Sequence, residues 1–150
     1  MQKIRIYPSA DHESMKIFEQ LAHFNNENLE LSLFLKGEDD SPPKRSFELS
    51  YVAKIRNKIV IGGVISTIYF STVLSIEVFF VDEGLRNKGV GSQLLSHLEE
   101  EAKKHNVILM HVDTFDWQAK DFYLKKGFEI FGVLEGCPKG HTRYYMKKNI

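Results

Sequence analysis

The apolar run VFFV (78–81) leads through RNKGVGSQ (86–93) into the amphipathic run LLSHLEEEAKK (94–104), and a second apolar run, VILMHVDTF (107–115), follows directly. A strand, a helix and a strand in that order bring the second strand back beside the first, pointing the same way. The chain must therefore carry a sheet with a parallel pair and a helix lying on one of its faces. Leu94, Leu95, Leu98 and Ala102 make the apolar stripe of that helix. Glu99–Lys103 and Glu100–Lys104 are spaced as i,i+4 ion pairs, each worth roughly 0.2–0.5 kcal/mol.

The remaining patterns place this unit inside a larger sheet. KIRIYP (3–8) alternates apolar and polar residues and reads as a short strand ended by Pro8. Residues 11–34 turn helical, with Met15, Phe18, Leu21, Ala22 and Phe24 on one face and Asn25, Asn26 and Asn28 as a break between two helices. KGEDDSPPKRS (36–46) is a loop by composition. FELSYVAKI (47–55), KIVIGGVISTIYF (58–70) and VLSIEVFFV (73–81) are strands with short polar connections, hence antiparallel neighbours. The pair Gly62–Gly63 predicts a bulge or a close backbone approach. WQAKDFYLKK (117–126) is a short helix that Gly127 ends as a left-handed cap. FEIFGVL (128–134) and TRYYMKK (142–148) are two final strands. The order is β-α-α-β-β-β-α-β-α-β-β, an α/β domain on one mixed sheet, with a single domain expected over 1–150.

Bulk properties remove several function classes. Twenty basic residues cancel twenty acidic ones, which disfavours a general nucleic-acid binder. The single cysteine, Cys137, leaves no internal disulfide and fits a reducing, cytoplasmic setting. The first residues lack the apolar core of a signal peptide, and no run reaches the roughly 20 apolar residues of a membrane span, so no membrane partner is expected. His105, His111 and His141 are scattered without metal-ligand spacing, and no metal is expected.

The turn RNKGVG precedes a helix whose first N–H groups have no intrahelical partner and whose end is partially positive. Glycine bares the backbone there, and Arg86 and Lys88 add charge-assisted contacts. Together these make a phosphate cradle. A nucleotide-hydrolysing P-loop would need Lys-Ser/Thr after Gly91, where Ser92–Gln93 stand instead. A dinucleotide fingerprint would need glycine at position 94, which is leucine. What remains is a pyrophosphate held by backbone amides without metal.

Arg86-x-x-Gly89-x-Gly91 after an apolar strand resembles the acyl-CoA signature of the GCN5-related N-acetyltransferases, and Ala119-x-x-Phe122-Tyr123-x-x-x-Gly127-Phe128 resembles that family's second block. The element order resembles it over nearly the whole chain, and DTFDWQAKDFYLKKGFEIFG with PKGHTRYYMKK is similar to small bacterial members. The resemblance implies an acyl-CoA N-acyltransferase fold with splayed central parallel strands. It implies acetyl-CoA as cosubstrate and direct acetyl transfer to a primary amine of a small molecule or peptide, in a ternary complex. Arg86, Asn87, Lys88, Gly89, Val90, Gly91 and Ser92 would hold the diphosphate. Phe79, Phe80 and Val81 would offer backbone to the pantetheine arm, which enters the splay like an added strand. Ala119 and Tyr123 would lie along the cofactor. Many members carry asparagine where this chain has Asp116; aspartate cannot donate an amide hydrogen bond but can cap the helix. A homodimer is a family habit.

Within that resemblance Tyr123 is the candidate acid for the leaving thiolate, the alternative being a tyrosine packed in the core beside Phe122. A phenol near 10 keeps its proton at neutral pH, and a thiol near 8.5 can accept it. Glu77 is the candidate base, directly or through a water, on a face expected to be shared with Ser75, Phe79 and Val81. The family has no fixed base, some members place a glutamate where this chain has Ser75, and a glutamate lining a wet cleft is the other reading. The family's acceptor pocket maps to residues 24–44 and 135–141, where Glu38, Asp39, Asp40 and Glu135 can attract a cationic amine or simply be solvated loop charges. The alternative function is a non-catalytic acyl-CoA-binding regulatory module, which would keep RNKGVG but not need Tyr123.

Overall fold

In the computed structural model, residues 46–56 and 59–150 are described. The expected strand over 3–8, the helical region over 11–34 and the acidic loop up to residue 45 lie outside them. The described elements are β1 (Ser46–Glu48), β2 (Tyr51–Ile55), β3 (Ile59–Tyr69), β4 (Val73–Val81), a 3₁₀ turn (Glu83–Leu85), α1 (Val90–Lys104), β5 (Leu109–Phe115), α2 (Lys120–Lys125), β6 (Glu129–Glu135) and β7 (Thr142–Asn149). They form one seven-stranded sheet in the order β1-β3-β4-β5-β7-β6, with β2 also on β3. No helix of the described residues is long and apolar enough to cross a membrane.

The sequence reading of 47–55 as one strand is corrected to two, β1 and β2. Both run along β3 in a single antiparallel ladder, Glu48 facing Thr67 and Tyr51 facing Val64. Leu49 leaves the pleat to bury its side chain, while its N–H still reaches the Ser66 carbonyl at 2.9 Å. The Ser66 hydroxyl, itself buried, donates back to the Leu49 carbonyl.

β4 and β5 are the expected parallel pair, and every other pairing among the described residues is antiparallel. Their contact is short, running from Val73–Leu109 to Ile76–Val112 and no further. Beyond it β4 keeps its ladder to β3 as far as Val81, and β5 keeps its ladder to β7 as far as Phe115. The two strands therefore part, and their inner edges face a wedge.

A bulge helps to open the wedge. Ile76 pairs with Ser66, but Val78 pairs with Ile65, so Glu77 is an extra residue in β4. Bulges bend a strand and re-aim its side chains. Here Leu74 and Ile76 are buried, and Phe79 and Val81 pack on the same core, although simple alternation would set Phe79 opposite Ile76. The expected face shared by Glu77 with Phe79 and Val81 is thus corrected. Nearby, a Cβ on Gly62 would lie 2.8 Å from the Phe80 carbonyl oxygen, which is the close approach expected of the double glycine.

α1 lies on the core face through Leu94, Leu95, Leu98 and Ala102, as the stripe requires. Each fully buried leucine contributes roughly 1.5–3 kcal/mol, so packing rather than surface charge holds the helix down. Glu99 does pair with Lys103 at 3.4 Å, but Lys104 turns to Glu101 at 2.5 Å rather than to Glu100. Glu99 also accepts from Lys148 of β7 at 2.8 Å, tying helix to sheet. Partial burial works against the Glu99 charge, yet Lys148 and Lys103 outweigh it and hold the carboxyl below its ordinary 4.5. A carboxylate shifted down stabilises the fold fully above its unfolded value and loses that contribution as pH falls through the folded one. Glu99→Gln is expected to lower stability by about 0.5–1 kcal/mol at pH 7, a deficit that shrinks below pH 4.5 in urea unfolding.

Candidate active site

The glycine turn sits at the open end of the wedge. Asp82 caps the 3₁₀ turn by accepting from the Gly84 N–H at 3.0 Å. Arg86 then folds back: its Nε donates to the Val81 carbonyl at 3.0 Å and its guanidinium lies 5.6 Å from the Phe80 ring centre. Asn87 has φ 60° and Gly89 has φ 85°, so the chain turns through the left-handed region twice. α1 begins at Val90, directly after the left-handed Gly89. Its N-cap, Gly89, offers no side-chain cap, and no acidic residue stands in the first turn. The first free N–H groups and the positive helix end are therefore uncompensated from within.

The two glycines differ in role. A Cβ on Gly89 would meet nothing within 4 Å, so the space before this backbone is open. A Cβ on Gly91 would touch Phe122 and Phe79 at 3.5 Å, an ordinary contact. Gly89 bares the turn, whereas the space beside Gly91 is bounded by two rings that a methyl could meet without strain. A diphosphate fits this cradle: open backbone at Gly89, uncapped amides at Val90, Gly91 and Ser92, and the exposed cations Arg86 and Lys88. Since its Nε already serves Val81, Arg86 has its terminal amino groups to give.

Tyr123 stands at the inner side of the wedge. Only 3% of it is exposed, and its ring lies 6.1 Å from Phe79, 5.3 Å from Phe122 and 5.3 Å from Phe128. Burial first, and the Asp113 charge second, push its pKa well above the ordinary phenol range. Tyr123 thus packs against Phe79, on the half of β4 that has left β5. Tyr123 is packed in the core beside Phe122, as one of its two sequence readings has it. Among the described residues nothing hydrogen-bonds its hydroxyl.

The sheet face away from α1 carries a polar cluster that sequence reasoning missed. The Tyr69 hydroxyl lies 2.5 Å from His111 Nε2. His111 faces Ser75 across the parallel pair, one rung before the strands part, and Glu77 sits on the bulge just beyond. Burial lowers the His111 pKa, against an upward pull from the Glu77 and Asp113 carboxylates. Burial likewise raises Tyr69, with the Glu77 charge as the second cause. Asp113 is held by Arg143, whose Nη2 is 2.6 Å away. The available signal was alternation: His111 lies between the apolar Met110 and Val112, so it had to face the other side of the sheet.

Residues 13–128 match the model of the acetyltransferase (GNAT) family, more than half of the chain. The chain belongs to the GNAT acetyltransferases. The structure of an acetyltransferase from Bacillus cereus is similar over 98% of both chains, with 32% identity and a TM-score of 0.85. The blasticidin-S acetyltransferase of Streptomyces morookaense is 29% identical over 90 residues, 59% of this chain and 65% of that protein. An aminoglycoside 6′-N-acetyltransferase complexed with coenzyme A shares the fold, with a TM-score of 0.62, 18% identity and coverage of 68% and 72%.

In this GNAT chain Asp116 does not cap α2, contrary to the expectation. The N-cap is Ala119, whose N–H donates to the buried Thr114 hydroxyl at 3.2 Å. Asp116 instead clamps the β6–β7 turn, with Oδ1 3.0 Å from His141 Nδ1 and Oδ2 accepting from the Thr142 N–H at 3.1 Å. Burial opposes its charge, but these partners prevail and keep the carboxyl below the ordinary aspartate value. The same turn is closed by Cys137 N–H to His141 carbonyl and His141 N–H to Pro138 carbonyl. Glu135 ends β6 beside it, exposed and facing Thr142. Glu38, Asp39 and Asp40 lie outside the described residues.

Proposed function

We propose that this GNAT chain moves the acetyl group of acetyl-CoA directly to a primary amine of a small molecule or peptide. One observation carries the reading: the β4–β5 wedge opens beside the uncapped, side-chain-free start of α1. That gives an extended arm and a diphosphate adjacent seats. When bound, acetyl-CoA supplies an activated acetyl group. Asn87 to Ser92 orient its diphosphate through main-chain N–H groups, aided by Arg86 and Lys88. Phe79 to Val81 present main-chain groups along the wedge. Tyr123 holds a proton at its phenolic oxygen for the departing sulfur, while Phe79, Phe122 and Phe128 exclude water around it. Glu77 draws the acceptor's ammonium by charge, and as candidate base, directly or through a water, it is one route for the acceptor's proton. Asp116 acts at a distance by fixing the β6–β7 turn.

The test is acetyl-CoA consumption, read as free thiol, over a panel of primary amines. Blasticidin S and aminoglycosides head the panel because similar proteins bear their names. Amine-dependent thiol release is the expected result. Tight coenzyme binding with no transfer to any amine would favour the regulatory module instead.

A further inference from the structure

An amine acceptor is an ammonium ion at neutral pH, and it attacks only after losing a proton. Glu77 lies at the bulge on the sheet face away from α1, and it is exposed. Two strand neighbours give the proton a longer route. Tyr69 is at the end of β3, His111 is in β5 opposite Ser75, and their side chains meet at 2.5 Å across β4.

We propose that Tyr69 and His111 form a relay that accepts the acceptor's proton, Tyr69 meeting the ammonium and His111 acting through it. This rests on the amine-acetylation reading above. In the relay the ammonium N–H bond breaks as an O–H bond forms on the Tyr69 oxygen. The phenol's own O–H bond breaks as an N–H bond forms on His111 Nε2. The products are a neutral amine with its lone pair, a neutral Tyr69 and a His111 imidazolium, which then returns its proton to solvent. The tautomer required carries its hydrogen on Nδ1.

The surrounding charges suit this. Glu77 from β4 and Asp113 from β5 itself both stabilise the imidazolium. Lys147 is the register partner of His111 on β7, and its Nζ lies 3.8 Å from Glu129. Asp113 is shared with Arg143. Burial holds the resting imidazole neutral at pH 7, ready to accept. A group that is neutral at the working pH can take up the ammonium's proton and pass it to solvent, and the imidazole is that group.

The test uses the full chain and the best acceptor from the panel. His111→Gln and Tyr69→Phe are each expected to lower kcat/KM about 10²-fold at pH 7, with coenzyme A affinity within a few-fold of wild type. The wild-type acid limb of kcat/KM should follow the His111 titration seen by NMR. In His111→Gln the rate should instead climb steadily with pH as free amine accumulates. In Glu77→Gln the His111 titration should move to lower pH. Wild-type rate and acid limb in both relay variants would overturn the relay and leave the transferase standing. Failure of the wild type to acetylate any amine would overturn the transferase reading, and the relay with it.

Discussion

Gly89→Glu is expected to weaken coenzyme A binding more than about 100-fold while the fold persists. At φ 85° any side chain costs about 1–2 kcal/mol of backbone strain, a loss of stability that leaves the core untouched. The new side chain would enter space that is now empty. Its carboxylate would find the positive end of α1 and so occupy the seat of the diphosphate, with like charge against it. Calorimetric titration checks this, and circular dichroism checks the fold. Gly91→Ala is the control. Its methyl would touch Phe122 and Phe79 at an ordinary 3.5 Å, so affinity should change by less than a few-fold. Equal losses in the two variants would mean that the turn is needed for packing rather than for an anion.

Tyr123→Phe is expected to lower kcat about 10²-fold, the low end for a lost general acid, with coenzyme A affinity nearly unchanged. The ring keeps its neighbours Phe79, Phe122 and Phe128, and no hydrogen bond within the described residues is lost. Stability should therefore stay close to wild type, which separates this outcome from misfolding. Burial raises the phenol above its usual range, so the wild-type kcat profile should show no fall from Tyr123 ionisation up to about pH 10. Full activity of Tyr123→Phe from pH 6 to pH 10 would reduce Tyr123 to a packing residue.

The parallel pair, the stripe of α1 and the glycine turn were legible in the sequence because each rests on local spacing. Leu94, Leu95, Leu98 and Ala102 can share a face only on a helix, and a helix between two strands leaves them one relative direction. The face of Glu77 was misread. A bulge breaks the period of two, and nothing within SIEVFFV marks where the extra residue falls. Its position depends on how β3 pairs, from Ser66–Ile76 to Ile65–Val78. Asp116 was expected on its own helix but serves a turn 25 residues away, a partner only the folded sheet supplies. Tyr69 and His111 are 42 residues apart and meet through three strands in register, which no local pattern encodes.

Backbone amide NMR of the full chain, titrated with coenzyme A, tests the central claim most directly. The result expected is saturable binding with the largest shifts at residues 87–92, the turn and first residues of α1, and a second set at 79–81 along the wedge. No shift at millimolar coenzyme A, or shifts confined to residues away from the Gly89 turn, would contradict it.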